Sequence, residues 1–212
     1  MKSFKQFLAE MPSLVYGITR DTFDPEQIDH PDNNPIDSSS GKSKKHWKKV
    51  HSTSTHDVWV NTPPRKRARI AAVNRKTKKT DVHVNGFMTD NEFHETEARS
   101  REGNKMKIPE LYSHALEHGG IAAIHSDYKQ TPGMKKSWER LTKNRKVSIS
   151  ANVPKRSDAK DGGQNSKPIK KSSDLDKYYY PAGDDPNSTK EFTKKTRRDN
   201  TNFTARLRKK KK

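Results

Sequence analysis

The stretch from Gly103 to Ile149 constrains the fold more than any other part of the chain: GNKMKIPELYSHALEHGGIAAIHSDYKQTPGMKKSWERLTKNRKVSI. Leu111, Tyr112, Ala115 and Leu116 recur at helical spacing, and Gly119-Gly120 ends that helix. Pro109 fits only a first turn, so the helix should start at about Ile108. Ile121 to Ile124 is an apolar run of strand length, closed by Ser126-Asp127. Thr131-Pro132-Gly133 reads as a turn. Met134, Trp138 and Leu141 give a second helical stripe, and Val147 and Ile149 alternate as in a strand. Helix, strand, helix, strand in close succession predicts α/β organisation.

Flanking strands are expected on both sides. Asp57 to Val60 reads as a first strand, broken by Pro63-Pro64. Ile70 to Val73 and Val82 to Phe87 form a hairpin pattern around the turn Asn74 to Lys79. Glu92 to Arg101 is a charged run that carries the chain to Gly103. Asn202 to Leu207 alternates as a possible last strand, and Tyr178-Tyr179-Tyr180 reads as an anchor.

Polarity limits the size of the ordered part. Only 27% of residues are hydrophobic and 33% are charged, so part of the chain should not fold. The expected division is a short N-terminal peptide at 1–10, a disordered basic linker at 11–55, and an α/β core at 56–153. A basic low-complexity segment at 154–212 would carry the last strand (202–207) and a cationic tail. No apolar run approaches the ~20 residues of a membrane span, and no secretory leader is expected at the N-terminus. Cysteine is absent, which excludes disulfides and thiolate metal sites.

The formal net charge is +19, which favours polyanions, because each neutralised phosphate releases counterions. DNA is the expected partner, bound non-specifically. The cations proposed to meet it are Lys44, Lys45, Lys48, Lys49, Arg65, Lys66, Arg67, Arg206, Arg208, Lys209 and Lys210. They are spread over linkers and turns, which suits contact with the phosphate backbone more than groove reading by one helix.

Two segments resemble known families. Gly103-Asn104-Lys105, Leu111-Tyr112, Gly119-Gly120, Ser126-Asp127, Gln130-Thr131-Pro132-Gly133 and Trp138-Glu139-Arg140-Leu141 stand in the order and spacing of a phage-encoded family with a GNAT-like (acetyltransferase-related) domain. The resemblance implies a small mixed sheet with flanking helices. The N-terminal MKSFKQFLAE resembles the capsid-targeting peptide of internal head proteins in T-even-type phages. That resemblance implies cleavage between Glu10 and Met11, other virion proteins as partners, and a location inside the phage head after assembly in the host cytoplasm.

An acetyl-CoA enzyme of the GNAT type holds pyrophosphate on backbone amides at a helix N-terminus. The resemblance assigns Gly103, Asn104 and Lys105 to that place. Lys105 stands where a small residue belongs, and the helix starts late, so the cradle reads as degenerate. Glu92, Glu95 and Glu97 are candidate bases, and Tyr112 and Tyr128 candidate acids. The charged run around the glutamates reads more simply as solvated surface, and Tyr112 as core. Ser126, Asp127 and Gln130 are cleft candidates at a strand end, although Ser and Asp there also cap turns. His114 and His118 have an i, i+4 spacing that can hold a metal, but no third ligand is evident from sequence, and no metal site is expected.

These observations favour a non-enzymatic, virion-associated, DNA-binding protein with a degenerate GNAT-like domain. An active N-acetyltransferase and an unrelated nucleic-acid-binding protein are the alternatives.

Overall fold

The computed structural model describes residues 46–62, 67–127, 132–154, 164–178 and 201–208, together with Pro35. Strands β1 (Trp47–Ser52), β2 (His56–Asn61), β3 (Arg67–Asn74), β4 (Thr80–Thr89) and β5 (Glu92–Ser100) form an antiparallel meander. Helix α1 (Ile108–His118) crosses to β6 (Ala123–His125), which runs parallel to β5. Helix α2 (Pro132–Thr142) leads to β7 (Val147–Pro154) and its antiparallel partner β8 (Gln164–Ile169). The short helix α3 (Ser172–Leu175) follows. Strand β9 (Asn202–Leu207) returns between β6 and β7, antiparallel to both. The result is a mixed α/β fold on one nine-stranded sheet, in the order β1-β2-β3-β4-β5-β6-β9-β7-β8.

Local chemistry explains the two tight turns of the meander. Asn74 Oδ1 accepts the Lys76 and Thr77 N–H groups at 3.0 and 3.1 Å, an Asx turn. Asp90 and Asn91 both take positive φ (50° and 63°) between Thr89 and Glu92. Two left-handed residues match the twist of a two-residue hairpin, and Asp and Asn tolerate that conformation best after glycine.

The core lies between one face of the sheet and α1 and α2. Val58, Val60, Ile70, Ala72, Val82 and Val84 line it from the meander. Leu111, Tyr112, Ala115 and Leu116 meet them from α1, at the positions the helical spacing marks. Trp138 of α2 is 1% exposed and packs its ring 6.0 Å from Tyr112 and 5.7 Å from Phe203. Gly119 caps α1 and Gly120 takes φ +71°, so the glycine pair does end the helix.

Several expectations need correction. The linker expected to run to residue 55 ends earlier, because Trp47–Ser52 is the edge strand β1. Its lysines disguise it, and lysine is what an edge strand carries to prevent further pairing. The charged run Glu92–Arg101 is not solvated surface: it is the central strand β5, with Phe93 and Glu95 buried. The segment after Val153 is not wholly loop, since Gln164–Ile169 pairs with β7. Pro132-Gly133 opens α2 rather than forming a separate turn, and proline is well suited to a first helical turn. The apolar run at 121–124 becomes strand only from Ala123. Tyr178 packs against the core, while Tyr179 and Tyr180 lie outside the described residues, as do residues 1–10 with Glu10 and Met11. No helix among the described residues is long and apolar enough to cross a membrane.

Candidate polyanion-binding cleft

A cleft of about 880 Å³ opens where the segment between β1 and β2, the β3–β4 turn and the loop before α1 meet. Its floor is a buried polar chain. Asp81 Oδ2 accepts from Asn74 Nδ2 at 3.0 Å and pairs with His56 Nε2 at 2.9 Å. Arg101 Nε lies 3.6 Å from the other Asp81 oxygen. The far side of the imidazole, Nδ1, meets Thr55 Oγ1 at 2.8 Å. A hydroxyl, an imidazole and a carboxylate in a row have the connectivity of a nucleophile relay. Here His56 is 1% exposed, and Thr53 Oγ1 accepts the Thr55 and His56 amides, so the chain ties the turn to β4.

The rim carries the positive charge. Arg75, Lys76, Lys78 and Lys105 are exposed and Arg101 is half-buried. Arg75 Nη1 donates to Thr53 O at 3.1 Å, which fixes the head group at the rim. Against these five cations stand Asp81, already paired, and the exposed Glu102. Gly103 turns the loop with φ +70°, where a Cβ would be strained.

The structure therefore brings Gly103, Asn104 and Lys105 to a cleft, but not as a cradle. The Asn104 amide points inward, donating to Ser100 Oγ at 3.1 Å and to the carbonyls of Asp81 and Arg101. Lys107 Nζ holds Asn104 O at 2.8 Å. Helix α1 starts at Ile108, as the position of Pro109 predicts, five residues beyond the glycine. Its first amides already face a carboxylate: Glu110 Oε2 accepts the Lys107 N–H at 3.1 Å. A pyrophosphate seated there would meet that negative charge, so these residues do not fit the acetyl-CoA cradle.

Of the second predicted cluster, Ser126 and Asp127 are described. Ser126 is 4% exposed; its Oγ accepts from Phe203 N at 2.8 Å and donates to Asp127 O at 2.9 Å. Ser126 thus fastens β6 to β9. Asp127 is half-buried near Glu95, while Gln130 and Tyr128 lie outside the described residues. Glu95 is the site residue that sequence reading undervalued. It sits where β5 and β6 diverge after pairing over Glu92–His94 and Ala123–His125. Burial, reinforced by Asp127, pushes its carboxyl up to about 8, although the Tyr112 hydrogen bond opposes the shift.

Among the predicted phosphate contacts, Lys48 and Arg67 are exposed on strands. Lys49 lies 3.9 Å from Asp57, Arg206 Nη2 donates to Glu92 Oε1 at 2.7 Å, and Arg208 Nε donates to Val147 O at 2.9 Å. The last two are partly engaged in holding β9. Lys44, Lys45, Arg65, Lys66, Lys209 and Lys210 lie outside the described residues. Arg75 to Lys79, a basic cluster in the sequence, supplies Arg75, Lys76 and Lys78 to the cleft, and Arg101 joins them from the end of β5. His51 of β1 stacks on the rings of both His114 and His118, leaving His114 half-buried and His118 exposed. No family model, characterised protein or solved structure matches the chain.

Proposed function

We propose that the protein binds nucleic acid through the phosphate backbone, without reading sequence, and that the cleft is its ordered contact. The observation that carries this reading is the gathering of Arg75, Lys76, Lys78, Arg101 and Lys105 around one cleft of about 880 Å³. Cations facing a common space position a phosphate chain, and the overall charge of +19 extends the attraction beyond it. Within this proposal the DNA is that packaged in a phage head, residues 1–10 are the targeting peptide, and the domain is a degenerate GNAT-like fold. The parallel β5–β6 contact that ends after three residue pairs agrees with the last point.

The test is fluorescence anisotropy of the full chain with two short labelled duplexes of unrelated sequence, over a range of salt. Equal affinities are expected. The variant with Lys76, Lys78 and Lys105 all changed to Ala should lower the log–log salt slope by about 0.9 for each phosphate no longer neutralised. An unchanged slope would remove the cleft from the interface. Sequencing the N-terminus from purified particles tests the second part, with Met11 expected as the first residue.

Acyl transfer is the second reading, and Glu95 favours it. A carboxyl held near 8 in a mainly apolar site has the proton affinity of a general base. Calorimetry with acetyl-CoA separates the two readings: binding at micromolar cofactor would favour the enzyme.

A further inference from the structure

We propose that His51, His114 and His118 bind one divalent metal ion of the zinc class, which clamps the edge strand β1 to helix α1. His114 and His118 are one helical turn apart and project from the same face of α1. His51 arrives from a residue more than 60 positions earlier, through a feature of strand register.

The register of β1 on β2 shifts between Lys49 and His51. Lys49 pairs with Trp59, and the next pair is His51 with Val58. Without the extra residue, His51 would share a face with Lys49 and point away from the helix. The bulge turns it to the face of Val58, which is the core face packed against α1. Its ring then lies 4.4 Å from the rings of both His114 and His118. One ligand nitrogen from each histidine falls within 4.8 Å of the other two.

Three imidazoles at this spacing are poorly explained by packing alone. They stack face to face, and His114 Nδ1 is buried without a hydrogen-bond partner. An unpaired buried nitrogen carries a desolvation cost that a metal bond would remove. For all three to ligate one ion at ~2.0–2.1 Å, the rings rotate out of the stack until their in-plane lone pairs converge. Three imidazole nitrogens suit zinc; calcium and magnesium prefer oxygen. His118 is the exposed member, so the ion has a path from solvent.

A second group, Glu92, His94 and His125, also has metal-like spacing. Its atoms are already used. His125 Nε2 meets Glu92 at 2.7 Å, His125 Nδ1 meets Thr204 Oγ1 at 2.9 Å, and Glu92 holds Arg206 at 2.7 Å. An ion there would have to displace an arginine and break these bonds.

The test uses the full chain without an affinity tag, titrated with zinc by calorimetry and with cobalt by visible absorption. One ion per chain is expected. His51→Ala and His118→Ala should each weaken zinc by more than about 100-fold, above the loss typical of an outer partner. His118 lies on the open side of α1, and alanine is the best helix former, so that variant keeps the fold. His125→Ala should leave affinity within about twofold, since a remote site is energetically independent. Zinc should also slow amide exchange in Trp47–Ser52 in the parent chain and not in His118→Ala. No binding at millimolar zinc would overturn the site. So would binding that depends on His125 and not on His51, and unchanged exchange in β1 would overturn the clamp.

Discussion

The Tyr112 hydroxyl donates a 2.7 Å hydrogen bond to Glu95 Oε2, joining α1 to the central strand β5 with both side chains shut away from solvent. The carboxyl is raised to about 8, chiefly by burial. Its folded value therefore lies above its unfolded value of 4.5, and between the two the folded state holds more protons. Stability from this group is full below about 4.5, falls as pH rises, and has been lost once pH passes about 8.

Glu95→Gln should remove that fall. The variant should gain most on the parent near pH 8, and little near pH 5, because a neutral amide cannot lose a proton. Urea unfolding of both proteins at several pH values checks this. A parallel pH dependence in the two would show that Glu95 titrates normally.

His83 works in the opposite direction. Burial lowers its imidazole from 6.5 to about 4, so the unfolded state binds the proton first. Its contribution is present above about 6.5 and is lost as pH falls through 4. His83→Gln should flatten part of the acid limb of the stability curve and leave the fall towards pH 8 unchanged. The same unfolding series separates the two limbs.

Gly86→Ala should be among the most damaging small substitutions. A Cβ there would stand 2.2 Å from the His94 carbonyl and 2.7 Å from the Phe93 ring. The obstacle is backbone in the neighbouring strand, which cannot swing aside. A loss at or above the usual overpacking range of about 1–3 kcal/mol is expected. Near-wild-type thermal stability would show that the β4–β5 pair yields there.

Trp138→Ala should cost about 3–5 kcal/mol, as for other buried aromatics. Trp138→Phe should cost much less. The indole Nε1 is buried without a hydrogen-bond partner, so the phenyl ring gives up no polar contact. Chemical denaturation of the two variants checks the ranking.

Deleting residues 209–212 should preserve the fold and weaken DNA binding. Strand β9 ends at Leu207, and Arg208 Nε holds Val147 O, so the cut falls outside the sheet. The salt slope should drop by about 0.9 for each phosphate that the tail neutralises in the parent chain. Thermal melting and anisotropy on the same sample distinguish weaker binding from a damaged fold.

Helices α1 and α2, the β3–β4 hairpin and β9 were readable because each shows its period plainly: Leu111 with Ala115, Ile70 with Val84, Phe203 with Ala205. Strand β5 was not, because HETEAR hides its pattern behind polar side chains that find partners only in the fold. Glu95 meets Tyr112, Glu97 meets Asn85 and Arg99, and Glu92 meets Arg206. Propensity scores such residues as solvated, and tertiary pairing overrides that. Gly103 to Lys105 line the cleft, but Lys76 and Lys78 reach it from a turn made adjacent by sheet register, which no local pattern shows. His51 had no local signal at all, since one bulge decides which way it faces.

The position of β9 also sets an order of events during synthesis. Ala205 pairs with Ile124 on one side and Ile149 on the other, so the strand made last occupies the interior of the sheet. Until residues 202–207 leave the ribosome, β6 and β7 both present bare edges, and Trp138 lacks the Phe203 ring. A nascent chain of this protein therefore waits with two sticky strands and an open hydrophobic seam. Slow translation of the codons for residues 202–207 would lengthen that exposure, and a chaperone that shields strand edges would matter most in that interval.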